Sequence, residues 1–253
     1  AAAAALAIAS VGVWRPLQTK PVYAETAVTA VGALRTLNLP DGSVVALNTD
    51  SAVEFSFSRA ERRVALVRGE AHFTVAKDAS RPFIVSAGGV GVRAVGTAFN
   101  VRLRGDDIDV LVTEGRVGIS ETKGGASLLP AAASSEPAVL AAGHRAVIPA
   151  AAAAGQPGAP AVKIAAVPVG EISRTLSWQA RRLEFGPTPL RDVVAEFNRY
   201  NRHQLVIADP ATGALQVGGS FSAGAYPTLV RLLESSFGVE AETSGDRTIL
   251  RRK

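Results

Sequence analysis

The chain of 253 residues has no cysteine and no methionine. Without cysteine there are no disulfides, no thiolate nucleophile and no thiolate metal site, although no cellular compartment is excluded. Without methionine there is no initiator residue, so the sequence reads as a fragment or a processed form. Histidine is scarce: His72, His144 and His203 stand far apart and in different predicted elements. A zinc site needs converging ligands, often with one close pair, and that spacing is missing. Aromatic residues make up only 6% of the chain, and much of its 47% hydrophobic content is alanine. The core must therefore rest on Val, Leu, Ile and a few Phe, and the length allows one large domain or two smaller ones.

Catalytic templates are missing too. No serine lies in a Gly-x-Ser-x-Gly elbow. Gly88-Gly89-Val90-Gly91 joins two strand-like runs and reads as a hairpin turn, not as a phosphate cradle before a helix. Asp106, Asp107 and Asp109 lack the further acidic ligand of a calcium loop. No persuasive pair of carboxylates points to glycoside hydrolysis. The net charge of +5 comes from arginines scattered as Arg59, Arg62, Arg63, Arg81, Arg93, Arg102 and Arg104. They are not gathered on one helix with interleaved aromatics, so they read as a solvated surface and no nucleic-acid partner is expected.

What is present begins with an uncharged apolar segment, Ala1 to Val13, ending at Trp14-Arg15-Pro16. Thirteen residues at ~1.5 Å each reach about 20 Å, short of the ~30 Å hydrocarbon core. Residues 1–16 are read as the end of a transmembrane helix, with Trp14 at the interface and Pro16 at the helix end. The tail of a signal sequence and a disordered Ala-rich tail are the other readings.

From Thr26 to Ser120 short runs alternate apolar and polar residues, punctuated by Gly, Asp or Pro. Pro40-Asp41-Gly42-Ser43 between two such runs is a hairpin turn, since Pro fixes φ and Gly accepts a positive one. Val53, Phe55 and Phe57 alternate, and Phe83-Ile84-Val85, Phe99 to Leu103 and Ile108 to Val112 follow at regular spacing. The pattern predicts an all-β sandwich or a coil-like stack of strands, without helices. Lys123 to Pro137 and Pro149 to Pro160 read as loops or linker, and Ala138 to Ile148 as one strand closing the β domain.

After Trp178 the period changes. Leu183 to Phe185 is a short strand, and Leu190, Val193, Val194 and Phe197 recur at helical spacing after Pro187 and Pro189. Strands at Gln204 to Ile207 and Leu215 to Phe221 precede a helix carrying Leu229, Leu232, Leu233 and Phe237. Val239 to Thr243 and Thr248 to Arg251 form a hairpin about Ser244-Gly245-Asp246. The order βαβ, βαββ describes an α/β module of about 75 residues, the size of one small domain. The expected division is 1–16 membrane helix end, 17–165 β-rich domain with its Ala/Gly/Pro-rich loops, and 166–253 α/β module.

Together these motifs resemble the FecR family of transmembrane anti-sigma factors. The matching text is Leu39-Pro40-Asp41-Gly42-Ser43 with Leu47-Asn48 and Ser51; Arg63, Leu66 and Gly69-Glu70-Ala71; Phe73 and Val75; Arg81-Pro82-Phe83 and Val85. It continues with Gly96-Thr97, Phe99-Asn100-Val101, Glu114-Gly115 and Val117. The second module resembles the family's C-terminal part through Trp178, Leu183, Phe185, Pro189-Leu190, Asn198-Arg199-Tyr200, Ile207 and Val217 to Phe221. Its element order is also similar to the short N-terminal domain of secretins and TonB-dependent receptors.

The resemblance implies an inner-membrane, single-pass regulator whose region here lies in the periplasm. It implies two partners: the N-terminal signalling domain of a TonB-dependent outer-membrane receptor, and an extracytoplasmic-function sigma factor held by a cytoplasmic segment absent here. Receptor contact through a strand edge is expected at Leu215, Val217, Gly219 and Phe221. No cofactor or metal is expected, and no turnover chemistry. Some members of the family split between the Gly and Thr of the matching motif, which makes Gly96-Thr97 the one candidate for bond breaking. The Thr97 hydroxyl can attack the Gly96 carbonyl, and glycine neither crowds the attack nor resists strained angles. Alternatively, Gly96 only permits a bulge and Thr97 fills a β-favoured position. A structural or assembly protein of the cell envelope is the competing reading of the whole chain.

Overall fold

The computed structural model describes residues 21–130 and 138–253. The expected membrane helix end at 1–16 lies outside the described residues, as does part of the Ala-rich loop before Pro137. Among the described residues no helix is long and apolar enough to cross a membrane.

The first part of the chain contains β1 (Tyr23–Val28), β2 (Arg35–Asn38), β3 (Val44–Leu47), β4 (Ala52–Phe57), β5 (Arg62–Arg68), β6 (Glu70–Thr74) and β7 (Phe83–Ala87). Next come β8 (Val90–Ala94), β9 (Ala98–Arg104), β10 (Asp107–Glu114), β11 (Arg116–Glu121), β12 (Leu140–Ala141), β13 (His144–Pro149), helix α1 (Ala150–Ala153) and β14 (Lys163–Ala166). They make two seven-stranded sheets, ordered β1-β4-β5-β7-β8-β11-β12 and β14-β13-β10-β9-β6-β3-β2. One apolar cluster fills the space between them, so of the two expected β architectures the chain adopts the sandwich. The strand period explains it: Val53, Phe55 and Phe57 of β4 enter the core while Glu54 and Ser56 face out.

The second part contains α2 (Val169–Thr175), a 3₁₀ turn at Ser177–Ala180, β15 (Arg182–Pro189), α3 (Leu190–Tyr200), β16 (Gln204–Ile207), α4 (Pro210–Gly213), β17 (Gln216–Ser222), α5 (Tyr226–Ser236), β18 (Val239–Ser244) and β19 (Arg247–Arg252). A pair β15-β17 and a sheet β16-β19-β18 enclose their own core with α3 and α5. Helix α3 buries the predicted stripe of Leu190, Val193, Val194 and Phe197, and Tyr200 in addition. Asn201 ends it by donating Nδ2 to Phe197 O at 2.8 Å, and Asn198 ties it to β16 through both Leu205 N and Leu205 O.

Three expectations about segments change. The run from Pro149 to Pro160 is no linker between modules: Ala153 enters the sandwich core, and the chain returns as β14 to pair with β13. Alanines are small enough to pack where the composition alone suggested flexibility. The predicted single strand from Ala138 to Ile148 is broken at Gly143, whose φ of +78° turns the chain from β12 to β13. Helices α1 and α2 and strand β14 form where no regular element is expected from the sequence.

The predicted turn at Pro40–Ser43 is anchored more deeply than a surface hairpin. Ser43 N and Oγ donate to Asp41, and Ser43 Oγ accepts from Ala76 N. The fully buried Arg62 donates to Asp41 Oδ2 at 2.6 Å, to Arg81 O at 2.8 Å and to Ala76 O at 3.0 Å, with Phe83 beneath its guanidinium. Burial raises the Asp41 carboxyl's affinity for its proton, but the Ser43 and Arg62 donors outweigh it and hold its pKa below the ordinary value. Replacing Arg62 strands a buried carboxylate, so Arg62→Leu should cost about 3–5 kcal/mol in a urea melt at neutral pH. The cost should shrink as acid protonates Asp41. A loss below ~1 kcal/mol would show that the pair is not structural.

Candidate functional site

The outer face of the second sheet is polar where a sandwich of this kind could have been apolar. Its strands put Phe73, Phe99, Val101, Ile108 and Val110 into the core, which turns Glu70, His72, Asn100, Arg102, Asp109 and Arg145 outward. Register aligns them as cross-strand neighbours: Glu70 opposes Arg102, Arg102 opposes Asp109, and His72 opposes Asn100. Helix α3 lies against this face. At its C-terminal end Arg199 donates to Glu70 Oε2 at 2.9 Å, and Glu196 accepts from Arg102 at 2.9 Å.

Glu70 is 2% exposed, yet each of its oxygens is satisfied: Oε1 by Asn100 Nδ2, Oε2 by Asn48 Nδ2 and Arg199. Thr49 Oγ1 donates to Arg199 O at 3.0 Å. Gly32, at φ +78°, lets the chain pass so close beneath Tyr200 that a Cβ there would sit 2.9 Å from Tyr200 O. Burial acts against the charge on Arg199, but Glu196 and Glu70 outweigh it and raise its pKa; burial also raises Glu196, and there Arg199 and Arg102 win and lower it. Tyr200 is raised by burial and then by the two carboxylates. Farther along, Arg145 reaches Glu171 at 2.8 Å and Thr175 Oγ1 at 3.0 Å on α2, beside Asp109, whose pKa burial raises despite Arg145. Between these contacts lies a cavity of about 460 Å³ walled by the sheet face on one side and by Trp178, Phe185 and Pro187 on the other.

The site residues expected from sequence lie elsewhere. Gly96 and Thr97 are not inside a strand: Val95 to Thr97 is the crossover from β8 in the first sheet to β9 in the second. Backbone bonds from Val75 N to Thr97 O (2.9 Å) and Asp78 N to Val95 O (3.0 Å) clamp it. Gly96 is needed for room, since a Cβ would come 2.9 Å from Lys77 Cβ. Thr97 is buried, and its Oγ1 has no hydrogen-bond partner among the described residues. Leu215 precedes β17 and Val217, Gly219 and Phe221 lie on it, but Val217 and Phe221 belong to the core of the second module and Leu215 packs on that core. Those side chains are not a contact surface; what β17 presents outward is its backbone edge. The Glu70 cluster was not foreseen as a site, although Asn48, Glu70, Asn100 and Arg199 all belong to the motifs quoted above. Its parts come from positions up to 151 residues apart (Asn48 to Arg199), a pairing that no local pattern reveals.

Residues 25–118 match the family model described as FecR protein. This stretch is a FecR domain. It runs from β1 into β11, so the FecR domain supplies most of the sandwich and, with Asn48, Glu70 and Asn100, the sheet's share of the cluster. No curated protein matches the chain. Two crystal structures of a candidate anti-sigma factor from Parabacteroides distasonis ATCC 8503 are similar in fold. One has a TM-score of 0.69 at 19% identity, covering 90% of this chain and 99% of that one; the other has 0.68 at 20%, covering 91% and 100%. The likeness therefore extends past the FecR domain over the α/β module as well.

His72 gives the FecR domain a pH signature. Burial, opposed only by Glu70, pushes its pKa from 6.5 down to about 4. The folded state keeps it neutral while the unfolded chain takes up a proton, so its share of stability is full above pH 6.5 and fades as pH falls toward 4. Between pH 7 and 5 the loss should be about 2 kcal/mol in denaturant melts, and His72→Gln should flatten that slope. An unchanged slope in a folded His72→Gln protein would assign the acid sensitivity to other groups.

Proposed function

We propose that this chain is the periplasmic sensor region of an inner-membrane anti-sigma regulator. It receives a signal from the N-terminal signalling domain of a TonB-dependent outer-membrane receptor, and it controls an extracytoplasmic-function sigma factor through a cytoplasmic segment. The observation that carries the reading is a FecR domain joined to a small α/β module whose strand β17 has a neighbour on one side only, in a chain similar over nine-tenths of its length to a candidate anti-sigma factor.

The edge chemistry favours β17 as the receiving strand. In the pair β15-β17 each strand has one neighbour, but Pro187 and Pro189 remove two donors from β15. The bond from Ala223 N to Arg181 O marks those two residues as a bonded pair. By antiparallel alternation Leu183/Phe221 and Phe185/Gly219 are bonded pairs as well, and the Gly218 and Ser220 amides turn outward. An extended strand of the receptor's signalling domain can then continue this small sheet. The purified signalling domain of the cognate receptor should bind the chain, and Ser220→Pro, which removes an outward amide and, toward β15, only the exposed side-chain bonds from Arg182 to the Ser220 hydroxyl, should weaken binding at least about tenfold, the worth of one or two hydrogen bonds. Absence of binding to the unaltered chain would refute the partner assignment.

The buried and unpartnered Thr97 hydroxyl supports a second, self-directed chemistry beside the regulatory one. Its oxygen adds to the Gly96 carbonyl carbon, the Gly96–Thr97 C–N bond breaks, and the hydroxyl proton ends on the released Thr97 amine. Water then opens the ester, leaving a Gly96 carboxylate and the Thr97 hydroxyl. The topology dictates the consequence. Strands β1 to β8 and strands β9 to β14 form contiguous blocks in both sheets, joined by the ladders β8–β11 and β6–β9. A chain cut at this bond should show two fragments by denaturing mass spectrometry and one species by size exclusion, with Thr97→Ala giving the intact mass. Intact mass alone in the unaltered protein, produced with its membrane segment, would remove this reading.

A further inference from the structure

We infer that the Glu70 cluster is a releasable clasp, which lets the α/β module exist docked on the sandwich or detached from it. The reason lies in how the charges are distributed. The sandwich contributes one acid and one base, Glu70 and Arg102; helix α3 contributes one acid and one base, Glu196 and Arg199. In the docked form the bonds cross between modules, Arg199 to Glu70 and Arg102 to Glu196, each at 2.9 Å. Each module also holds a complete pair of its own. Glu70 and Arg102 are cross-strand partners already 4.0 Å apart, and Glu196 and Arg199 are three residues apart on one helix, at 2.5 Å. Separation therefore breaks the two intermodule pairs, leaves the two intramodule pairs in place and strands no charge.

That separates this cluster from an ordinary buried ion pair, whose loss leaves one charge without a partner. On the two facing surfaces His72 Nε2, Asn100 Oδ1 and Trp178 Nε1 have no hydrogen-bond partner among the described residues, so docking gains no protein hydrogen bond from them. The second intermodule contact, Arg145 with Glu171 and Thr175, is likewise polar and involves the short α2 that leads into the module. Against this stand few apolar contacts across the face, with Leu34 and Ala46 of the sandwich reaching the second core. A polar, charge-balanced interface of this kind gives two discrete arrangements that a ligand or partner can bias.

The chain has no cysteine, so a label pair can be placed without background. Asp106 on the sandwich and Glu234 on α5 are exposed and outside the cluster. The full chain carrying Asp106→Cys and Glu234→Cys, spin-labelled, should give two distance populations. The longer should grow as ionic strength rises from about 0.05 M to about 1 M, where the screening length falls to ~3 Å. The swap Glu196→Arg with Arg199→Glu keeps the pair within α3 but sets like charges across the face, and should make the longer population dominant at every salt concentration. Circular dichroism checks that the swapped chain is folded; if it is not, the salt series on the unaltered cluster decides alone. One narrow distance, unmoved by salt and by the swap, would overturn the clasp.

Discussion

A buried carboxylate governs how the two halves of this chain meet. Glu70 sits at 2% exposure with donors from β3's end, β9 and α3 on its two oxygens. Asn48, Asn100 and Arg102 keep that carboxylate partnered from within the sandwich, and Arg199 adds the charged donor that fixes where α3 lies when it is docked. The constraint reaches outward from that atom pair. Asn48 and Asn100 must hold their amides toward it, the Gly32 turn must admit Tyr200, and the sheet must keep a polar outer face that a free-standing sandwich would leave to solvent.

The molecule therefore contains two kinds of contact with different physical character. Within each module, aromatic and branched side chains pack densely: Phe73 stacks on Phe99 in the sandwich, and Phe185, Phe197 and Phe221 cluster in the α/β module. Packing of this kind is cooperative and resists partial rearrangement. Between the modules the contacts are mainly charged and polar, with Leu34 and Ala46 adding apolar area, and water can replace the polar ones at small net cost. A regulator that must pass a binding event from one part to another benefits from that contrast, since stiff bodies with a soft joint move as units. The open edge of β17 lies on the same module as Arg199, so an arriving strand and the clasp act on one body.

Much of the fold was legible because it follows from short-range rules. Val53, Phe55 and Phe57 alternate as a one-sided strand must, Pro40-Asp41-Gly42-Ser43 turns as its dihedral preferences require, and Leu190 to Phe197 keeps the helical period. Segments of alanine were misjudged because alanine carries no periodic signal, and only the packed sandwich shows that Ala153 fills a core position. The site was less legible than the fold. Gly96-Thr97 stands out in the sequence as a dipeptide, but its place in a crossover between sheets depends on which strands pair. At β17 the strand edge was expected from pattern alone, and the structure adds its phase: Val217 and Phe221 point inward, and the accessible group is the backbone. Glu70 looked like any outward residue on a strand, and its significance arises from Arg199, 129 residues away.

Hydrogen–deuterium exchange of the full chain, with and without the proposed partner, the signalling domain of a TonB-dependent receptor, tests the central claim most directly. Binding at the β17 edge should slow exchange at the outward amides Gly218 and Ser220, and release of the clasp should quicken it around Thr49 and the Gly32 turn. Slowed exchange confined to the sandwich edges, with β17 unaffected, would contradict the account.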